Sequence, residues 1–222
     1  ADYYAFCDQD DIWAPDKLEA AIGWLSKQPP EKPALYGSRT RIVDIEGRPV
    51  GLSPLFSEPP SFRNAIVQSI AGGNTMVMNR AAHDLMAEAS RRSGFVSHDW
   101  WCYMLVSGAG GAVHYSPIPA ISYRQHDGNL VGANSSFNAS LNRLRALLFT
   151  SRFSNWNTAN LAALSSAGNF LNQEAIKVQR EFEKARALPV LGRLKALRRS
   201  GVYRQTAKGQ LGLWLACVLR RI

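Results

Sequence analysis

The chain has 222 residues, 46% hydrophobic and 10% aromatic, with 26 Lys and Arg against 17 Asp and Glu. That composition excludes collagen-like, low-complexity and wholly disordered chains, and the length is enough to bury a substantial core. Three widely separated cysteines, Cys7, Cys102 and Cys217, show no C-x-x-C spacing, so they indicate neither a disulfide framework nor a zinc ribbon and fit a reducing compartment.

Charge is unevenly spread. Residues 1–140 carry 11 basic and 14 acidic side chains, whereas residues 141–222 carry 15 and 3. A near-neutral body with a basic tail calls for an anionic partner surface, either lipid headgroups or nucleic acid. Nucleic acid is the weaker of the two, because no RNA- or DNA-binding motif accompanies Tyr203, Arg204, Lys208 and Trp214. No basic n-region followed by an apolar run is visible, and a start at Ala1 directly into a buried-looking strand leads to the expectation that the chain begins partway through a domain.

Residues 3–7 read as a short apolar strand that runs into Asp8, Gln9, Asp10 and Asp11, after which Pro15 opens an amphipathic helix with Leu18, Ala21, Ile22 and Leu25 on one face. The acidic cluster is therefore expected in a strand-to-helix loop. A strand is predicted over 34–43, then a turn at Asp44, Glu46 and Gly47 before a second short strand or loop. Ser61 is placed to cap a short helix through Ser69, Gly72 and Gly73 break it, and 75–78 reads as a buried strand. Asn79 caps a helix to about residue 90; another starts at Ser97 and ends in the Gly108–Gly111 run. Residues 113–115 and 120–124 read as two strands separated by Pro117 and Pro119. From Leu141 onward the spacing predicts several helices. The apolar stretch from Leu211 to Leu219 falls short of the roughly 20 residues a membrane span needs. It reads as a core helix or as one lying on a bilayer surface, anchored by Trp214, Arg220 and Arg221.

Three carboxylates within four positions repel one another unless a cation sits among them. Oxygen ligands of this kind suit Mg²⁺ or Mn²⁺ with positions left open for phosphate. The alternative is a solvated acidic turn at the start of the following helix, with Asp16 adding to the dipole interaction. Asp99 has two readings as well, a general base or a carboxylate that merely favours a helix N-terminus.

The segment Cys7-Asp8-Gln9-Asp10-Asp11-Ile12-Trp13, followed by Pro15-Asp16-Lys17-Leu18, resembles the D-x-D segment of family 2 glycosyltransferases. Gly72-Gly73-Asn74-Thr75-Met76, His98-Asp99-Trp100-Trp101, and Tyr123-Arg124-Gln125-His126 with Asn129 and Gly132 resemble the rhamnosyltransferase-like branch in order and spacing. The resemblance covers about residues 3–133. It implies an α/β fold: a partial GT-A mixed sheet flanked by helices over residues 1–140, with a basic helical C-terminal extension over 141–222. It further implies Mg²⁺ or Mn²⁺ held by Asp10, with Asp8 and Asp11 assisting or exchanging roles, on the diphosphate of a nucleotide-sugar donor such as dTDP-rhamnose or a UDP-sugar. Asp8, Arg124 and His126 would meet the donor. Asp99 would be the base of an inverting transfer, with His98 standing where the wider family has a further acid. Gly72, Gly73, Asn74, Trp100 and Trp101 would line the side taken by a glycan or lipid-linked acceptor. Such an enzyme would work in the cytoplasm, peripheral to the inner face of the membrane through residues 141–222. The competing reading is a non-catalytic module that binds membrane or nucleic acid through its basic helices.

Overall fold

The computed structural model describes residues 1–91, 94–124 and 151–222. Among these residues the strands are β1 (Tyr3–Ala5), β2 (Ile12–Trp13), β3 (Ala34–Val43), β4 (Pro49–Leu52), β5 (Val77–Asn79) and β6 (Ala112–Arg124). The α-helices are α1 (Lys17–Leu25), α2 (Phe62–Ala65), α3 (Arg80–Ser90), α4 (His98–Gly108), α5 (Arg152–Ser166), α6 (Gln173–Ala187), α7 (Val190–Ser200) and α8 (Ala207–Val218).

One mixed sheet runs in the order β1-β5-β3-β6-β2, with β4 pairing the second half of β3. The β3–β6 pair is parallel and the other pairs are antiparallel. Alternation along β3 explains how it is covered on both faces. Ala34 and Tyr36 pack with Ala21 and Leu25 of α1, while Leu35 between them joins the larger core on the α4 side. This is an α/β fold in which helices flank a mixed sheet and a helical extension follows, the arrangement expected of a partial GT-A domain.

β6 is a single strand where two were expected. Ser116 pairs with Ser38 and Ile121 with Thr40, so the residues between, including Pro117 and Pro119, bulge outward past β3. Prolines lack the ladder donor and are tolerated at such an irregularity. α2 is also shorter than the helix expected to Ser69, although Ser61 does cap it, accepting from Asn64 N.

α4 lies at the centre. Every residue from Trp100 to Val106 is buried, which marks a helix enclosed on all sides rather than a two-faced surface helix. The outer side is covered by the extension: Trp156 of α5 meets Trp100 edge-on at 6.0 Å, and Asn172 N donates to Gly108 O at 2.9 Å. One hydrophobic cluster therefore runs from Leu35 through α4 to Ile222. A buried polar network fastens the same junction. Tyr103 Oη donates to Asn64 Oδ1 at 3.1 Å, Asn64 Nδ2 to Tyr203 O at 2.9 Å, and Gln205 Nε2 to Glu58 O at 3.0 Å. Such groups must be paired once buried, so this network fixes how the extension seats.

Candidate active site

The acidic loop lies between β1 and β2 and is tied down at both ends. β1 pairs with β5, and β2 pairs with β6 through Ile12–Ser122 and Trp13–Ile121. Three side chains of the loop then divide their roles. Asp11 turns inward: its carboxylate accepts from Asn74 Nδ2 and from Arg124 N at 3.4 Å. Burial pushes its carboxyl above the ordinary range, those two donors pull it down, and Asp8 and Asp10 add a push in the same direction as burial. Asp8 is exposed and Asp10 is half-buried. Arg124 braces the loop from β6, donating from Nε to Asp10 O at 3.2 Å and from Nη1 to Ile45 O. Its guanidinium is thus engaged by backbone carbonyls. Tyr123 faces the same cluster, its phenol pushed up by burial and by the charges of Asp11, Asp10 and Asp8.

Asn74 belongs to a 3-10 turn, Gly73–Thr75, that crosses over the loop. Glycine is required in this turn by close approach. A Cβ on Gly72 would lie 2.8 Å from Asn74 Oδ1, and one on Gly73 would lie 2.1 Å from His98 Nε2. The His98 ring also meets Phe6 at 4.6 Å. The N-terminus of α4 therefore abuts both the turn and the start of the acidic loop. Asp99, in the first turn of α4, is half-buried, and among the described residues its carboxylate makes no hydrogen bond or ion pair. Its charge is felt by Cys102, whose thiol is pushed up to about 12 chiefly by burial and so is inert.

The structure thus brings together Asp8, Asp10, Asp11, Gly72, Gly73, Asn74, His98 and Arg124, while among the described residues no contact links the Asp99 side chain to them. Two expected residues are not on that surface. Trp100 and Trp101 are 6% and 0% exposed, with their indole N–H groups donated to Ala65 O and Ser90 Oγ. They are core residues, which corrects the expectation of a sugar-stacking role; adjacent residues both fit a core because α4 is enclosed all round. His126 lies outside the described residues.

Lys17 is the participant that sequence reasoning missed. It is 1% exposed, donates from Nζ to Asn74 O at 2.6 Å, and sits 3.4 Å from the centroid of the Trp13 ring. Burial brings its ammonium down to about 8, while Cys7, Asp11 and Asp8 pull it up. Lys17, Asn74 and Asp11 form a chain of contacts from α1 through the turn to the loop. A sequence signal existed, since a lysine in the first turn of a helix opposes the helix dipole and asks for another reason to be there.

Among the described residues, no group of three or more His, Cys, Asp or Glu side chains converges as a metal cage. The loop instead offers Asp8 and Asp10, with Asp11 held behind them. A partial oxygen set of this kind fits a hard divalent ion that keeps positions for water and phosphate.

No family model matches the chain. Over 148 residues it is 28% identical to the dTDP-rhamnosyl transferase RfbG of Shigella flexneri, covering 64% of this chain and 50% of that protein. The similarity is to a sugar-transferring enzyme. The chain spans about half the length of the curated relative it matches. No helix among the described residues is long and apolar enough to cross a membrane.

Proposed function

We propose that the chain is the acceptor-side part of a family 2 glycosyltransferase of GT-A type. It would transfer rhamnose or a related deoxyhexose from a dTDP or UDP donor to a glycan or lipid-linked acceptor with inversion. The observation that carries this reading is the acidic loop anchored against the glycine turn, with the N-terminus of α4, which bears Asp99, packed beside them through His98. The similarity to a dTDP-rhamnosyl transferase supports the same class.

Asp8 and Asp10 would hold Mg²⁺ or Mn²⁺, which when bound neutralises charge on the leaving diphosphate. The protein's own residues do the rest. Asn74, itself held by Lys17, and the Arg124 backbone fix Asp11, which anchors the loop that carries Asp8 and Asp10. Asp99 accepts the acceptor hydroxyl proton as that oxygen bonds to the anomeric carbon and the bond to the diphosphate breaks. Gly72 and Gly73 let the turn pack closely against Asn74 and His98 beside the acidic loop. Transfer assays with candidate donors, acceptors and Mn²⁺ test the assignment. Asp99→Asn is expected to keep donor binding and lose transfer by roughly 10² to 10⁴; undiminished turnover in that variant contradicts it.

A further inference from the structure

The last helix is apolar on two sides, and among the described residues only one of them is buried. Gly212, Leu213, Ala216 and Cys217 are buried, with Leu213, Ala216 and Cys217 fully so. On the other side Leu211, Leu215, Val218 and Leu219 are 59%, 40%, 40% and 51% exposed. At about 100° per residue these four positions and Lys208 fall within one arc of about 100°. Arg193 Nη1 donates to Cys217 O at 2.7 Å, seating the first turn of α7, with its 76% exposed Leu191, beside the last turn of α8. An exposed leucine stripe of this kind needs a cover.

Charge identifies the cover. From Lys184 to Ile222 the chain contains Lys184, Arg186, Arg193, Lys195, Arg198, Arg199, Arg204, Lys208, Arg220 and Arg221 and no acidic residue. Some of these act within the fold: Arg193 is buried, and Arg204 is brought down to about 10 by burial. Arg198 and Arg199 of α7 and Arg220 just past the end of α8 remain exposed, Arg199 near enough to Glu181 of α6 to be felt by it. Leucines on one helical arc with cationic residues around them match an anionic bilayer surface, where side chains enter the acyl boundary and the basic groups meet headgroups. Nucleic acid would match the charge and leave the leucines uncovered. A second copy of the chain would cover the leucines but bring like charges together.

We infer that the α7–α8 hairpin docks the protein on an anionic lipid surface, with Leu211, Leu215 and Leu219 entering the bilayer and the basic residues contacting headgroups. The inference is independent of the transferase reading, because it involves neither donor nor metal. Flotation of the whole chain with phosphatidylcholine vesicles, with and without about 30% phosphatidylglycerol, tests it. Binding is expected to the anionic vesicles and to weaken as salt rises from about 0.05 M to about 0.5 M. Leu211→Ser with Leu215→Ser is expected to weaken it about tenfold or more while the chain stays folded. Should that double variant misfold, Arg220→Asn with Arg221→Gln keeps the stripe and is expected to remove the preference for anionic vesicles; asparagine suits the left-handed backbone at residue 220. Wild-type-like binding by either folded variant overturns the proposal. So does the absence of vesicle binding, binding to single-stranded RNA alone, or a dimer that the leucine variant dissociates and that does not bind vesicles.

Discussion

Replacing Lys17 by methionine isolates the electrostatic cost of building the acidic loop. The side chain is 1% exposed, and burial takes its ammonium from 10.5 to about 8. Because the folded value lies below the unfolded one, the cost of the buried charge is fully present below about pH 8 and is relieved as pH rises toward the unfolded value. The full cost is on the order of 3 kcal/mol. Between about pH 7 and about pH 9.5 the wild type should therefore gain about 2 kcal/mol relative to Lys17→Met, which has no such titration. Urea unfolding of both proteins at the two pH values, followed by tryptophan fluorescence, reads this difference directly. A stability gap constant to within about 0.5 kcal/mol would refute the placement of Lys17 as a buried charge. At neutral pH the variant also loses the donor to Asn74 O, so its hold on Asp11 should loosen.

Gly73→Ala should destabilise the chain by about 1–3 kcal/mol because its new methyl meets His98; adding His98→Ala should recover most of that loss, and an additive double variant would show that the two do not touch. Asn64→Ala removes a hub between α2, Tyr103, Tyr203 and Gln205, and should cost about 1–3 kcal/mol in urea unfolding by leaving buried groups unpaired. A loss confined to a few tenths would indicate that water replaces the side chain there. Asp8→Asn should leave the thermal midpoint close to wild type, since that side chain is exposed. A large fall in the variant would assign that carboxylate a structural role.

Local chemistry made much of this fold legible. The strand at Ala34–Val43 and the helix at Arg80–Ser90 follow from alternation and from an asparagine placed to cap, which does accept from Ala82 N. The juxtaposition of the loop, the glycine turn and α4 could be expected from the resemblance. Its means could not, because Asn74 reaches Asp11 across the fold and Lys17 reaches Asn74 from another element. The tryptophans misled for a related reason. Whether a helix has one buried face or none exposed depends on what covers it, and α5 supplies a cover that no pattern within α4 announces. Pro117 and Pro119 suggested a break because propensity sees the missing donors and not the outward bulge that makes them harmless.

The most direct test of the account is calorimetric titration of TDP and UDP into the protein with Mn²⁺ and with chelator, repeated on Asp10→Ala. The account predicts nucleotide binding that requires the metal, prefers one of the two bases and disappears in the variant. Binding indifferent to chelator and to Asp10, or none at all in a protein shown to be folded, would contradict the assignment of the acidic loop to a metal-bound sugar-nucleotide diphosphate.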